Sequence, residues 1–381
     1  MEQNEQEKTG NQPPQSQADG TTPPPQQEQT AGEEQSPAHP LQKTAVAETR
    51  PAVFPPEPAG SAVRPFFKII AAFLALLPPV FLLLALLLPL PVRKSKNVVI
   101  PRGSSIQTIA SLLQEGDVPL NAYVFRLAAS VFAEDHLQAG EYRISPGQSL
   151  VDVVIMMRDG KSVVRLFTVA EGLTSHEVVE MLRGDPALSG EIHEIPEEGS
   201  LLPETYRYSY GDDRAVLVER MKKSMNGEIS ELWNNRAPDL PYKDMKEAVT
   251  MASIIEKETG KKAEERPRVA GVFINRLKQG MRLQSDPTVI YALTKGQKSL
   301  GRNLTREDLA FDSPYNTYLY AGLPPGPISN PGRASLEAAL HPEKNDFLYF
   351  VADGTGGHAF SKDLPSHNKN VNRWIGMTKK R

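Results

Sequence analysis

From Ile69 to Val92 the chain runs for 24 positions without a charged residue, with Leu the dominant side chain. About 20 apolar residues suffice to cross a bilayer as a helix, so this run constrains the architecture before any other feature. A cleaved signal peptide fits it poorly. The run begins far from Met1, is too long, and has no small-residue cleavage pattern before Arg93. Pro78 and Pro79 predict a kink near its middle, which a membrane helix tolerates. Charge does not orient the span. Arg50, Arg64 and Lys68 precede it, Arg93, Lys94, Lys96 and Arg102 follow it, and the positive-inside rule weakens when a long domain comes next.

The span divides the 381 residues unequally. Residues 1–64 hold eleven Pro and ten Gln, with nine acidic side chains against Lys8, Lys43, Arg50 and Arg64. Too little apolar surface is available there to offset the entropy of ordering, so a disordered tail is expected. Residues 97–381 carry strand and helix patterns throughout and join the span by a short basic linker. Lys+Arg 43 against Asp+Glu 46 gives a net charge of −3, which argues against a generic nucleic-acid binder. Cys is absent, which excludes disulfides, thiolate metal sites and cysteine nucleophiles.

A short pattern recurs three times in the first part of the globular region. Ile100 to Gly103 leads to Ser105 and then Ile109, Ala110, Leu112 and Leu113. Ile144 to Gly147 leads to Ser149, Val153, Val154, Met156 and Met157, and Val169 to Gly172 leads to Thr174, Val178, Val179, Met181 and Leu182. Each copy reads as a β-type run, a Gly turn, a Ser/Thr cap and apolar residues at helical spacing. Plain strand–turn–helix packing accounts for this pattern. It also resembles the glycan-binding LysM module in its G-x-[ST]-x-x-x-[IV]-[AV] signature. Binding is favoured for the first copy and scaffolding for the other two.

The segment best placed for chemistry is Lys243–Thr259. Ala248, Met251, Ala252 and Ile255 share one helical face, and Gly260 stands where a left-handed cap is wanted. Glu256 and Glu258 fall at the two borders of that face, while Lys257 points away. Both glutamates lie in the last turn, where the negative end of the helix dipole favours a protonated carboxyl, as a general acid requires. A pair of solvated surface glutamates fits the pattern equally well. A second helix is expected over Arg268 to Lys278, closed by Gly280, and a buried strand over Phe347 to Val351. Between and beyond them lie Pro/Gly-rich loops bearing Asn, Tyr and Asp. Rigid loops of this kind suit a groove that hydrogen-bonds sugar hydroxyls and acetamides. Asp286-Pro287 also reads as a turn or helix start. His341, His358 and His367, spaced by 17 and 9, match no i,i+4 pair and no HExxH pattern, so no metal is expected.

Ala252-Ser253-Ile254-Ile255-Glu256-Lys257-Glu258-Thr259, followed by Val272 to Leu277, resembles the endolytic murein transglycosylase (YceG-like) family. So do Glu171-Gly172, Leu202 to Tyr206, Gln284 to Tyr291, Tyr315 to Tyr318, Gly322 to Ile328, Phe350 to Gly354, and Gly357-His358. These segments follow the family's order across nearly all of 98–375. The tail 1–64 has no counterpart in the pattern.

The resemblance implies an α+β protein with a single N-terminal transmembrane helix, a LysM-like strand–helix subdomain and a mixed α/β catalytic domain. The corresponding division is a tail over 1–64, the membrane helix over 65–92, the LysM-like subdomain over 97–183 and the catalytic domain over 184–376. It implies a single-pass inner-membrane protein of bacteria, with a cytoplasmic N-terminus and an extracytoplasmic C-terminal domain. The implied substrate is the peptidoglycan glycan strand, cut internally without cofactor or metal, beside peptidoglycan synthases at the membrane. The family's essential acid falls on Glu256, a choice over Glu258 that comes from the resemblance alone. Gln284, Asp286, Asn316, Tyr318 and His358 are expected around the sugars. Asp286 is also a candidate second carboxylate, which would permit a water-using muramidase. A catalytically silent peptidoglycan anchor is the remaining alternative.

Overall fold

The computed structural model describes residues 63–259 and 262–378. The tail over 1–62 and Gly260 lie outside the described residues.

The apolar run forms helix α1 (Val63–Leu87), which continues through Pro78 and Pro79. Then come β1 (Lys96–Ile100), α2 (Ile106–Glu115), α3 (Ala122–Ala133), β2 (Gly140–Ile144) and α4 (Leu150–Arg158). They are followed by β3 (Val164–Thr168), α5 (Ser175–Gly184), β4 (Thr205–Ser209) and α6 (Arg214–Asn234). The C-terminal half contains α7 (Met245–Glu258), a 3₁₀ turn (Ala263–Glu265), α8 (Arg266–Lys278), α9 (Asp286–Thr294), α10 (Arg306–Leu309) and α11 (Arg333–Leu340). It ends with β5 (Tyr349–Ala352), β6 (His358–Ser361) and α12 (Leu364–Thr378). The protein is a mixture of helices and strands. Among the described residues the strands make three separate antiparallel pairs, with Val98 opposite Tyr142, Phe167 opposite Tyr206, and Phe350 opposite Phe360.

All three copies of the sequence pattern fold alike. Gly103, Gly147 and Gly172 adopt φ of +80°, +90° and +78°, a region that side chains other than glycine's resist. Ser105, Ser149 and Thr174 then cap α2, α4 and α5. The last two form reciprocal capping boxes with Asp152 and Glu177. Asp286 and Pro287 begin α9 rather than a plain turn.

Three apolar clusters hold these elements. The first runs from Leu90 to Met157 and contains β1, α2, α3, β2 and α4. The second gathers α5 with β4 and the start of α6, around Val178, Leu182, Tyr206 and Met221. The third is built on α7, α8 and α11, with Ile254, Ile255, Phe273 and Leu336 at its centre.

Two expectations change. The helix expected over 65–92 ends at Leu87, and Leu90 and Val92 are buried in the first cluster instead. The Leu90 amide also donates to the Gln148 carbonyl at 2.8 Å. The buried strand expected over Phe347 to Val351 is instead the shorter β5, of intermediate exposure at every position. Its two-stranded sheet has too few neighbours to be covered on both faces. Phe350 meets Phe273 of α8 edge-on at 5.7 Å.

Candidate active site

The site is built on the C-terminal end of α7. Its inner face is bound to the 326–332 loop through Ser253, whose hydroxyl accepts the Ile328 amide at 3.0 Å and donates to the Thr250 carbonyl at 2.7 Å. Asn330 carries that loop across to the second cluster. Its side chain accepts from the Leu201 amide at 2.9 Å and donates to the Leu173 carbonyl at 3.1 Å. The Gly172 amide donates to the Asn330 carbonyl at 2.9 Å, closing the junction. The Gly172 turn and the 330–332 loop therefore meet over the last turn of α7.

Glu256 lies in this junction with 9% of its surface exposed. Oε2 accepts the backbone N–H of Gly332, the cap residue of α11, at 3.0 Å. Oε1 accepts from Nη2 of Arg266 at 3.1 Å. The same Nη2 reaches Glu171 Oε2 at 3.3 Å. Burial, then the charge of Glu256, pushes the Glu171 carboxyl above its ordinary value, and Arg266 opposes this only in part. Nε of Arg266 is buried with no hydrogen-bond partner among the described residues. A Cβ at Gly332 would stand 2.0 Å from Glu171 Oε1, so a larger residue there would push the Glu171 side chain from its present position. Lys257 points outward, as expected, and its ammonium donates to the Gly172 carbonyl at 3.2 Å.

Glu258 faces a different group of residues. Its Oε1 accepts from the Ser285 hydroxyl at 2.5 Å, and burial pushes the carboxyl up to about 7, with the charge of Asp286 adding and Arg276 opposing. Gln284 is exposed with φ of +50°, and its amide donates to the Thr317 carbonyl at 3.1 Å. Asp286 accepts from the Tyr318 hydroxyl at 2.6 Å. The structure thus brings Gln284, Asp286, Asn316 and Tyr318 together beside Glu258. Asn316 is wholly buried. Its amide donates to the carbonyls of Leu309 and Phe311 at 3.0 and 2.8 Å, and its oxygen accepts the Tyr318 amide at 2.9 Å.

His358 is held apart from that group. Its Nδ1 lies 2.8 Å from Glu265 Oε2, and its backbone N–H donates to the same oxygen at 3.0 Å. Glu265 immediately precedes Arg266, so this pair adjoins the Glu256 junction through the 3₁₀ turn. A cleft of about 590 Å³ opens beside Lys257 and Thr174, with Tyr291, Lys298 and Arg302 on its walls. No group of three or more His, Asp or Glu side chains suited to a metal occurs among the described residues.

A model of the YceG-like family matches residues 98–373. The chain belongs to the YceG-like family. A Bacillus subtilis (strain 168) protein named endolytic murein transglycosylase is 34% identical over 315 residues, which is 73% of this chain and 84% of that protein. A Streptococcus pneumoniae (strain D39) protein of the same name is 30% identical over 336 residues, 75% of this chain and 60% of that protein. A crystallised YceG-like protein of Listeria monocytogenes is 35% identical, covers 73% of this chain and 99% of its own, and has a TM-score of 0.45.

Within this YceG-like site, sequence reasoning missed Arg266, Gly332 and Asn330. Glu171-Gly172 stands out in the sequence as a motif, but nothing there shows its contact with Arg266. Arg266 opens α8, and a lone arginine at a helix start carries no signal of its own. Two carboxylates bonded to one nitrogen become visible only in space.

Proposed function

We propose that this chain is an endolytic murein transglycosylase, with Glu256 as the group that moves the proton. The observation that carries the reading is the position of Glu256: nearly buried, held by Arg266 and the Gly332 amide, within a chain of the YceG-like family. Glu256 first protonates the glycosidic oxygen that leaves with N-acetylglucosamine, and the bond from that oxygen to C1 of N-acetylmuramic acid breaks. The muramic 6-hydroxyl then bonds to C1 while Glu256 takes its proton. The new end is a 1,6-anhydro sugar, and no water or cofactor is consumed. Attack from within one sugar ring has a large effective-concentration advantage over water.

Glu171 and Arg266 support this cycle. Arg266 joins the two carboxylates through one nitrogen, and burial with the charge of Glu256 holds the Glu171 carboxyl above its ordinary value. Gln284, Asp286, Tyr318 and His358 are assigned to the sugars. Asn316 acts through Tyr318, whose amide it fixes, because its own amide is already bonded to backbone. The first strand–turn–helix copy, Ile100 to Leu113, is assigned to glycan within a LysM-like subdomain over 97–183. In this reading the chain is anchored by α1 with its C-terminal part outside the cytoplasm, where strands emerge from the synthases.

The test is the mass of the cleaved muramic end from uncrosslinked glycan strands, since anhydro and hydrolysed ends differ by one water. One observation favours a hydrolase instead: Glu171 provides the second carboxylate such an enzyme uses. Reducing muramic ends from the purified protein would decide for that reading.

A further inference from the structure

A cavity of about 820 Å³ lies between α1 and the first cluster and shares no lining residue with the Glu256 junction. Phe81, Leu84 and Leu88 of the α1 side face Leu120, Tyr123 and Val124 across it. Helix α3 forms one wall, and it is apolar on two faces. Phe125, Ala128 and Ala129 are buried in the core, while Tyr123, Leu127 and Val131 are 87%, 42% and 62% exposed. The exposed three recur at i, i+4 and i+8, a single stripe along the helix. This second apolar stripe, flanked by exposed Arg126 and Ser130, calls for a cover of its own, yet α3 has 12 residues, too few to cross a bilayer.

We propose that α3 lies in the headgroup layer of the membrane that α1 spans, with Tyr123, Leu127 and Val131 against lipid. This rests on reading α1 as a membrane span. The stripe is continuous with that surface, because α1 packs on α3 and α4 and is itself the opposite wall of the cavity. The depth agrees as well. From Phe81 to the end of α1 at Leu87 the rise is about 9 Å at ~1.5 Å per residue. An interfacial helix sinks its apolar face about 5–10 Å below the boundary. The apolar stretch Phe66–Leu87 has 22 residues, about 33 Å of helix against a hydrocarbon core of about 30 Å, so its last turn ends at the lipid rim. Leu90 and Val92, buried in the first cluster, prevent the domain from swinging away. Exposed Arg93, Lys94 and Arg126 supply cationic tips at the level of anionic headgroups, and Tyr123 is amphipathic, as interfacial side chains are. The membrane then supports the first cluster from the side, and the rest of the protein is held in one orientation above it.

The absence of Cys makes the test direct. Leu127→Cys and Val131→Cys variants of the full chain, each spin-labelled, are placed in nanodiscs of phosphatidylcholine and phosphatidylglycerol. Collision with oxygen is compared with collision with a water-soluble nickel chelate. Leu76→Cys in α1 and Gln107→Cys on the exposed face of α2 give the lipid and water references. Labels at 127 and 131 are expected to favour oxygen several-fold over the label at 107. Nickel access at 127 and 131 equal to that at 107, with Leu76→Cys still shielded, overturns the α3 assignment alone. Nickel access at Leu76→Cys overturns the span reading and this one with it. Shielding that requires two copies in one disc assigns the stripe to a second copy of the chain and also overturns it.

Discussion

Glu256 and Glu171 share one nitrogen: Nη2 of Arg266 lies 3.1 Å from an oxygen of the first and 3.3 Å from an oxygen of the second. Their side chains differ in setting, with that of Glu256 6% exposed and that of Glu171 46% exposed. One carboxylate is therefore fixed by its surroundings, and the other is free to follow a ligand.

Replacing Glu256 by Gln keeps shape and removes the transferable proton. Cleavage of uncrosslinked strands should fall by about 10²–10⁴-fold, the usual worth of a general acid–base group. Glu258→Gln should leave a substantial part of the rate, since Glu258 bonds Ser285 instead. Full activity in Glu256→Gln, measured by product mass, would remove the assignment from this residue.

Arg266→Gln should slow the reaction and move the acid limb of its pH profile upward. Arg266 is the group that lowers Glu171, so without it that carboxyl holds its proton to higher pH. Stability should drop too, since breaking a buried ion pair costs roughly 3–5 kcal/mol. A slower enzyme with an unmoved pH profile would show that Arg266 only braces the loop.

Glu258 should make the fold less stable as pH rises. Its carboxyl is pushed from 4.5 up to about 7 in the folded chain, so between those values the native state binds the extra proton. Stability then falls as pH rises from about 4.5 through 7 and is level above, an effect on the order of a few kcal/mol. Urea titrations at several pH values should show this slope reduced in Glu258→Gln relative to the parent. An identical slope in both would count against a buried Glu258 carboxyl.

A chain beginning at Asn97 should be less stable than one beginning at Leu88. The shorter form loses Leu90 and Val92, both under 9% exposed, and a fully buried side chain of this size contributes about 1.5–3 kcal/mol. The Leu90–Gln148 hydrogen bond goes with them. Chemical denaturation of the two forms compares them directly, and equal midpoints would show that the first cluster does not need the segment over 88–96.

Much of this protein was legible in the order of its residues, because the signals are local. A Gly at positive φ, a Ser or Thr cap and apolar residues at helical spacing specify each strand–turn–helix copy without outside help. The same holds for α7, α8 and the uncharged run that became α1. Membership of the YceG-like family was readable as well, since its motifs are contiguous. Asn316 shows where residue type stops being informative. Its amide is of the kind that binds sugars, but the fold uses it on Leu309 and Phe311.

The meeting of the site's parts was decided by tertiary structure alone. Gly332 reaches Glu256 across 76 residues, and Arg266 reaches Glu171 across 95. No periodicity encodes such distances. They arise when the second and third clusters pack and Asn330 joins the loops between them. The docking of Leu90 and Val92 follows the same logic: the sequence marked an apolar run by its composition, but only packing shows which of its residues face lipid and which complete a core.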